Sequence, residues 1–298
     1  MSPLCPLNVS SVPHWSLWPL LSMAPLAQTL ALLAMTMATV AIQVIPLDMA
    51  QDSFDDQYQG CSPAMTAELP ALHSYEFHQN KKFAEAWARA KAKWQSRGSP
   101  TSPLSPEQAT AIMTLTMGGL SDMFNDAVRV AGRSRQEYWY NFHFKTLHFL
   151  LTDALATLRD AQKGQCLDVF LWMCGPRFDT QHGDIVRFGQ FMSSFLSKPS
   201  GQCSDLMLVE LHTCHGVEIQ FFTEHPGEGV VLIPPFETFK VTQVTRERDK
   251  TQIQLRSTGT FSNYNCEWLR GGTIARASFH LGGLLLTTTA LAVATGIL

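Results

Sequence analysis

The feature that most constrains the fold of this chain is a change of texture at Cys166. Ahead of it, apolar residues recur every three or four positions. Phe77, Phe83, Ala84, Trp87, Lys91 and Trp94 outline one amphipathic helix, Glu107 to Thr116 a second and Ser121 to Ala131 a third. Ser134 followed by Glu137 predicts a capping box, behind which Tyr138, Phe142, Leu147, Leu150, Leu151, Ala154, Leu155 and Leu158 form a long apolar face. Gly132 is expected to close the helix before it as a left-handed cap. Beyond Cys166 the runs are β-branched and aromatic, and Gly and Pro separate them. They are Val169 to Met173, Val186 to Phe191, Leu206 to Leu211, Val217 to Phe222, Val230 to Ile233, Phe239 to Val244 and Ile253 to Ser257. Helices followed by strands predict an α+β domain, its helical half packed on a strand-rich half. A domain boundary near Gly164 would leave the helices with uncovered apolar faces, so one domain is expected.

Both ends of the chain are apolar and nearly free of charge. The first 47 residues contain no Asp, Glu, Lys or Arg, and Leu26 to Ala41 form an apolar run ending in small residues. This predicts a signal peptide over 1–41, of which 1–22 is an upstream extension if the chain starts at Met23. A signal anchor retained in the membrane is the alternative. At the other end, Gly271, Gly272 and Thr273 precede a spacer with Arg276 and an uncharged tail from Leu281 to Leu298. Small site, polar spacer and apolar tail predict a GPI-anchor signal over 271–298, with Ala277 or Ser278 as other attachment points and a tail anchor as the alternative. The domain between is expected over 49–270, on the cell surface or secreted.

An exported chain meets an oxidising compartment, so its cysteines are read first as disulfides. Cys5 leaves with the signal, and Cys61, Cys166, Cys174, Cys203, Cys214 and Cys266 remain. None has CxxC spacing, so no metal site is expected. Net charge is −3, with no basic concentration on a predicted face, which argues against a nucleic-acid partner.

Six segments in series carry a resemblance: FDDQYQGC at Phe54 to Cys61, AVRVAGRSRQEY at Ala127 to Tyr138, FHFKTLHFLLTDAL at Phe142 to Leu155, VRFGQF at Val186 to Phe191, VLIPPFETF at Val231 to Phe239, and STGTFSNYNC at Ser257 to Cys266. Together they resemble the vertebrate arginine-specific ecto-mono-ADP-ribosyltransferases, GPI-anchored enzymes that share a core with bacterial ADP-ribosylating toxins. The resemblance implies the toxin-like mono-ADP-ribosyltransferase fold and NAD as substrate, with arginine-bearing surface or secreted proteins as acceptors. It also implies bridges from Cys61 to Cys266 and from Cys166 to Cys214. Cys174 and Cys203 have no implied partners: they either pair with each other or leave Cys203 free for an intermolecular bond.

Breaking the nicotinamide–ribose bond needs a cation for the pyrophosphate end, a hydroxyl to position the ribose, and a carboxylate for the developing positive charge. The family pattern implies an Arg in V-F-R-G-V, a Ser opening Ser-x-Ser, and Glu-x-Glu before VLIPP. On that pattern Leu171 stands at the Arg position and Trp172 at the Gly. Ser193 fits the first Ser, while Phe195 replaces the second. Glu228 matches the first Glu, but Val230 stands where the catalytic carboxylate belongs. Ser193 and Glu228 are the surviving candidate catalytic residues. Arg177 and Arg187 lie close in sequence to the clamp strand, and Arg177 joins Ser193 as a candidate NAD contact. His143 and His148 are expected to pack in a helix, and His212 and His215 have no carboxylate at triad spacing nearby. The expected function is the family reaction, ADP-ribose transfer from NAD to protein arginine, weakened or lost. The alternatives are a non-catalytic surface binding or antigen module on the same fold, and an active enzyme using Glu228.

Overall fold

The computed structural model describes residues 43–271, apart from 99–101, 118, 199–202, 204–205, 225–226 and 248–249. The expected signal peptide and, beyond Gly271, the expected anchor signal lie outside the described residues. The chain opens with β1 (Val44–Pro46), which pairs in parallel with β3 (Arg177–Asp179). This strand lies ahead of Met49.

Helices α1 (Ser62–Gln79) and α2 (Lys81–Ser96) replace the single helix expected across Phe77 to Trp94. Asn80 breaks it: with φ −127° and ψ 89° it leaves helical space, and its side-chain oxygen accepts the Phe83 N–H at 3.0 Å, capping α2. Helix α3 (Pro106–Thr116) starts with a full capping box between Ser105 and Gln108. After α4 (Ser121–Ala131), Gly132 is right-handed at φ −86°, not the left-handed cap expected. It is required for a different reason: a Cβ there would lie 2.2 Å from the Ser53 carbonyl oxygen.

Ser134 does cap the next segment, accepting the Glu137 N–H at 3.0 Å, but the long helix expected behind it is split. A π-helical turn (Glu137–Asn141) is followed by a fresh start at α5 (Lys145–Ala161). The cause is Glu76, fully buried on α1, whose carboxylate accepts the N–H groups of Lys145 at 2.5 Å and Thr146 at 2.9 Å. A carboxylate satisfies the orphan donors of a helix N-terminus, and the positive end of the helix dipole favours it there. The Lys145 ammonium turns back to the carbonyls of Trp139 and Phe142.

The strand-rich half is one eight-stranded sheet in the order β4-β9-β10-β6-β2-β5-β8-β7. Its members are β2 (Leu167–Cys174), β4 (Ile185–Val186), β5 (Met192–Phe195), β6 (Leu206–Thr213), β7 (Val217–Glu218), β8 (Val230–Ile233), β9 (Glu237–Arg246) and β10 (Lys250–Thr260). Two expected strands are shorter than their apolar runs. Val186 to Phe191 keeps only β4, because Arg187 turns inward, and Val217 to Phe222 becomes β7 plus a 3-10 turn (Gln220–Phe222). Alternate residues of β8 face two cores: Val230 and Leu232 join the helices, while Val231 and Ile233 join a second cluster with Val169, Leu171, Val209 and Phe239. Burial on both sides explains why VVLI is an unbroken apolar run.

The two chain ends of the domain are locked by the FDDQY segment. Arg187 and Asp55, both with side chains 0% exposed, form an ion pair at 2.6 Å. Asp55 also accepts the N–H groups of Asn263 and Tyr264, and Arg187 donates to the carbonyls of Met49 and Phe261. Asp56 accepts from the backbone of Tyr58, Cys266 and Glu267, although burial pushes its pKa up. The short helix α6 (Glu267–Arg270) follows. Cys61–Cys266 ties the same ends covalently and Cys166–Cys214 joins β2 to β6, the two bridges the resemblance implies. Cys174 pairs with Cys203, which resolves the open alternative in favour of an intramolecular bridge.

Candidate functional site

The site positions are set by three neighbouring strands. β2 and β5 are antiparallel with Phe170 opposite Phe195, and β5 and β8 are antiparallel with Ser193 opposite Leu232 and Phe195 opposite Val230. Directly opposed residues share a face, and along each strand the faces alternate. Trp172, Ser193, Phe195 and Val230 therefore line one face of the sheet, whereas Leu171 lies on the other.

On the shared face, the rings of Trp172 and Phe195 stand 4.6 Å apart. Ser193 is exposed, and its neighbour Ser194 is buried and donates to the Val231 carbonyl at 3.0 Å. Val230 is buried in the helical core cluster with Leu232 and Phe222. Glu228 is exposed on the loop before β8. Lys198 sits 5.3 Å over the Phe170 ring and 2.6 Å from Glu210.

The remaining candidates fall elsewhere. Leu171 is buried in the second cluster, turned away from Ser193 and Val230. Arg177 is half-buried on β3, in the two-stranded sheet, rather than on the sheet that carries Ser193. Arg187 is consumed by the Asp55 latch and is not available to a ligand. His148 is a packing residue as expected: fully buried, it lies between the Phe54 carbonyl at 3.1 Å and the Tyr58 hydroxyl at 2.9 Å, and burial pulls its pKa down to about 3. His212 departs from the sequence reading. Its Nδ1 lies 2.7 Å from Asp168, a carboxylate brought opposite by the β2–β6 register from 44 residues away.

Sequence reasoning also passed over Glu237. Fully buried in the PPFETF segment, it accepts from Thr213, the Cys214 and His215 N–H groups, and Ser257. Burial raises its pKa, and the four donors on the one carboxylate counter only part of that. The signal for it was its place between two apolar runs, where a charged residue has to be paired.

A helical half on a mixed sheet, with Ser193 on the strand beside VLIPP and the FDDQY segment locked to the end of the strands, defines the mono-ADP-ribosyltransferase fold. A family model described as NAD:arginine ADP-ribosyltransferase matches residues 47–263. The chain belongs to that family. It is 48% identical over 234 residues to the chicken (Gallus gallus) erythroblast NAD(P)(+)–arginine ADP-ribosyltransferase, covering 77% of this chain and 78% of that one. It is 41% identical over 258 residues to the human GPI-linked NAD(P)(+)–arginine ADP-ribosyltransferase 1, covering 80% and 79%. The crystal structure of the eucaryotic mono-ADP-ribosyltransferase ART2.2 superposes with a TM-score of 0.64 at 34% identity, over 74% of this chain and 98% of that one. Mutant forms of ART2.2 have been solved with NADH and with NAD.

Proposed function

We propose that this chain is a cell-surface member of the arginine ADP-ribosyltransferase family whose NAD chemistry is lost, leaving a non-catalytic binding module on the enzyme's fold. The observation that carries this reading is the 4.6 Å packing of Trp172 on Phe195. These are the two positions where the family pattern has Gly and Ser, and they fill the face that Ser193 shares. Opposite Phe195, Val230 offers no charge to a cation-like sugar. The residues present do not fit NAD: the small positions are aromatic, the carboxylate position is aliphatic, and the Arg position is Leu171 on the opposite face. Glu228 and Arg177 are the charged candidates that remain, and neither sits on that face of the three strands.

Incubation with labelled NAD and agmatine, an arginine mimic, tests the reading. The native protein is expected to give no labelled agmatine above a protein-free control. Clear transfer would overturn the loss of activity and assign the carboxylate role to Glu228.

The domain plan proposed is a signal peptide over 1–41, the folded domain over 49–270 preceded by β1, and a GPI-anchor signal over 271–298. The human and rabbit relatives described as GPI-linked support the anchor. Phosphatidylinositol-specific phospholipase is expected to release the mature protein from cells. Retention after complete treatment would favour a tail anchor instead.

A further inference from the structure

A second cluster of reactive side chains stands where β2 leaves α5, apart from Ser193. The β2–β6 ladder sets Leu167 opposite Thr213 and Asp168 opposite His212. Cys166 and Cys214, just beyond that ladder, are thereby brought together and bridged. A ring nitrogen of His212 and the two sulfur atoms all lie within 4.8 Å of one another. Asp168 lies 2.7 Å from Nδ1, and in the tautomer that donates to this carboxylate the Nε2 lone pair is free to ligate. A carboxylate behind an imidazole is the usual outer shell of a zinc-binding histidine.

While the bridge is closed, the sulfurs are not thiolates and the cluster has no ligand set. We infer that the Cys166–Cys214 disulfide masks a Cys2His site for a zinc-class cation, opened by a dithiol reductant. In that exchange the reductant's two thiols become its disulfide, and Cys166 and Cys214 take up the two hydrogens as thiols. Each thiol then releases its proton on ligating the metal. Three protein ligands and one open position result, a known zinc arrangement.

The backbone around the cluster is held independently of the bridge. Glu237 accepts the Cys214 N–H at 2.8 Å and the His215 N–H at 3.1 Å, and the Arg159 Nε donates to the Cys214 carbonyl at 2.8 Å. Cys166 is exposed, so a reductant can reach it. Opening the bridge requires the sulfurs to part to about 3.8 Å, the separation that zinc–sulfur distances of about 2.3 Å impose in a tetrahedron.

The test is Co2+ titration of the folded full domain after reduction with a phosphine, which does not compete for metal as a dithiol would. The expected result is one equivalent of Co2+ bound with a thiolate-to-cobalt charge-transfer band, absent before reduction. Asp168→Asn is expected to weaken binding about 10- to 100-fold, and His212→Ala to weaken it further. Cys166→Ser/Cys214→Ser, reduced in the same way, should show no band. A band of equal strength in that double variant would assign the metal to other thiols and overturn the inference. So would absence of binding in reduced protein with a native circular dichroism spectrum. If full reduction unfolds the chain, Cys166→Asp supplies the answer without reductant, since Cys61–Cys266 and Cys174–Cys203 stay closed. It should bind Co2+ with one thiolate band, and its failure to do so while folded would equally overturn the site.

Discussion

Arg187→Met is expected to destabilise the folded domain by about 3–5 kcal/mol, the usual result of removing one partner of a buried ion pair. The cost arises on the Asp55 side. With both side chains fully buried, Asp55 would keep two backbone donors but lose the cation 2.6 Å away. The carbonyls of Met49 and Phe261 would lose their donor as well, and that of Ala50 would keep only the Ser53 N–H. Urea unfolding with all three bridges closed measures the effect as a shift in midpoint at unchanged slope. The double variant Asp55→Leu/Arg187→Met should recover part of the loss, because it no longer strands a charge. A single-variant loss below about 1 kcal/mol would mean that water reaches the latch and that FDDQY is not what holds the chain ends.

The second large effect is a gain. Trp172→Gly with Phe195→Ser and Val230→Glu is expected to raise transfer from NAD to agmatine by about 10²–10³ over Trp172→Gly with Phe195→Ser, from which it differs only by the carboxylate. That is the range in which a single preorganised electrostatic group contributes to rate. Val230→Glu by itself puts a carboxylate into an apolar cluster opposite Phe195, where it is poorly solvated and has no sugar to face. Removing the two rings clears the face and lets water and substrate reach the new carboxylate. Clearance and charge act on the same transition state, so their joint effect should exceed the product of the separate ones. Leu171→Arg is left out of the set because Leu171 packs in the opposite cluster, where a guanidinium would be stranded. If the folded threefold variant transfers nothing, the silencing extends beyond the filled face.

Much of this was legible in the sequence, and what was not has identifiable causes. The α+β class followed from periodicity, and two of the three bridges followed from the resemblance. Helix breaks at Asn80 and ahead of Lys145 were hidden because the apolar spacing runs through them. What decides those breaks is a cap and a distant carboxylate, Glu76, which only tertiary packing brings there. Gly132 was recognised as special for the wrong reason, since close approach and positive φ both select glycine. Trp172 and Phe195 each depart from the family pattern, but their contact depends on the β2–β5 register, and the meeting of Asp168 with His212 on the β2–β6 register. Register is a property of paired strands, and a single strand does not encode it visibly. The same register separates Leu171 from Ser193 and Val230, which linear motifs had grouped together.

Calorimetric titration of the native, fully bridged protein with NAD tests the central claim most directly, because it asks whether the face shared by Ser193 and Val230 accepts the family's substrate at all. The filled face predicts no saturable heat at NAD concentrations up to the millimolar range, where a Kd of 1 mM corresponds to about −4.1 kcal/mol. Saturable binding with a sub-micromolar Kd would show that Trp172 and Phe195 yield to the ligand, and would contradict the account.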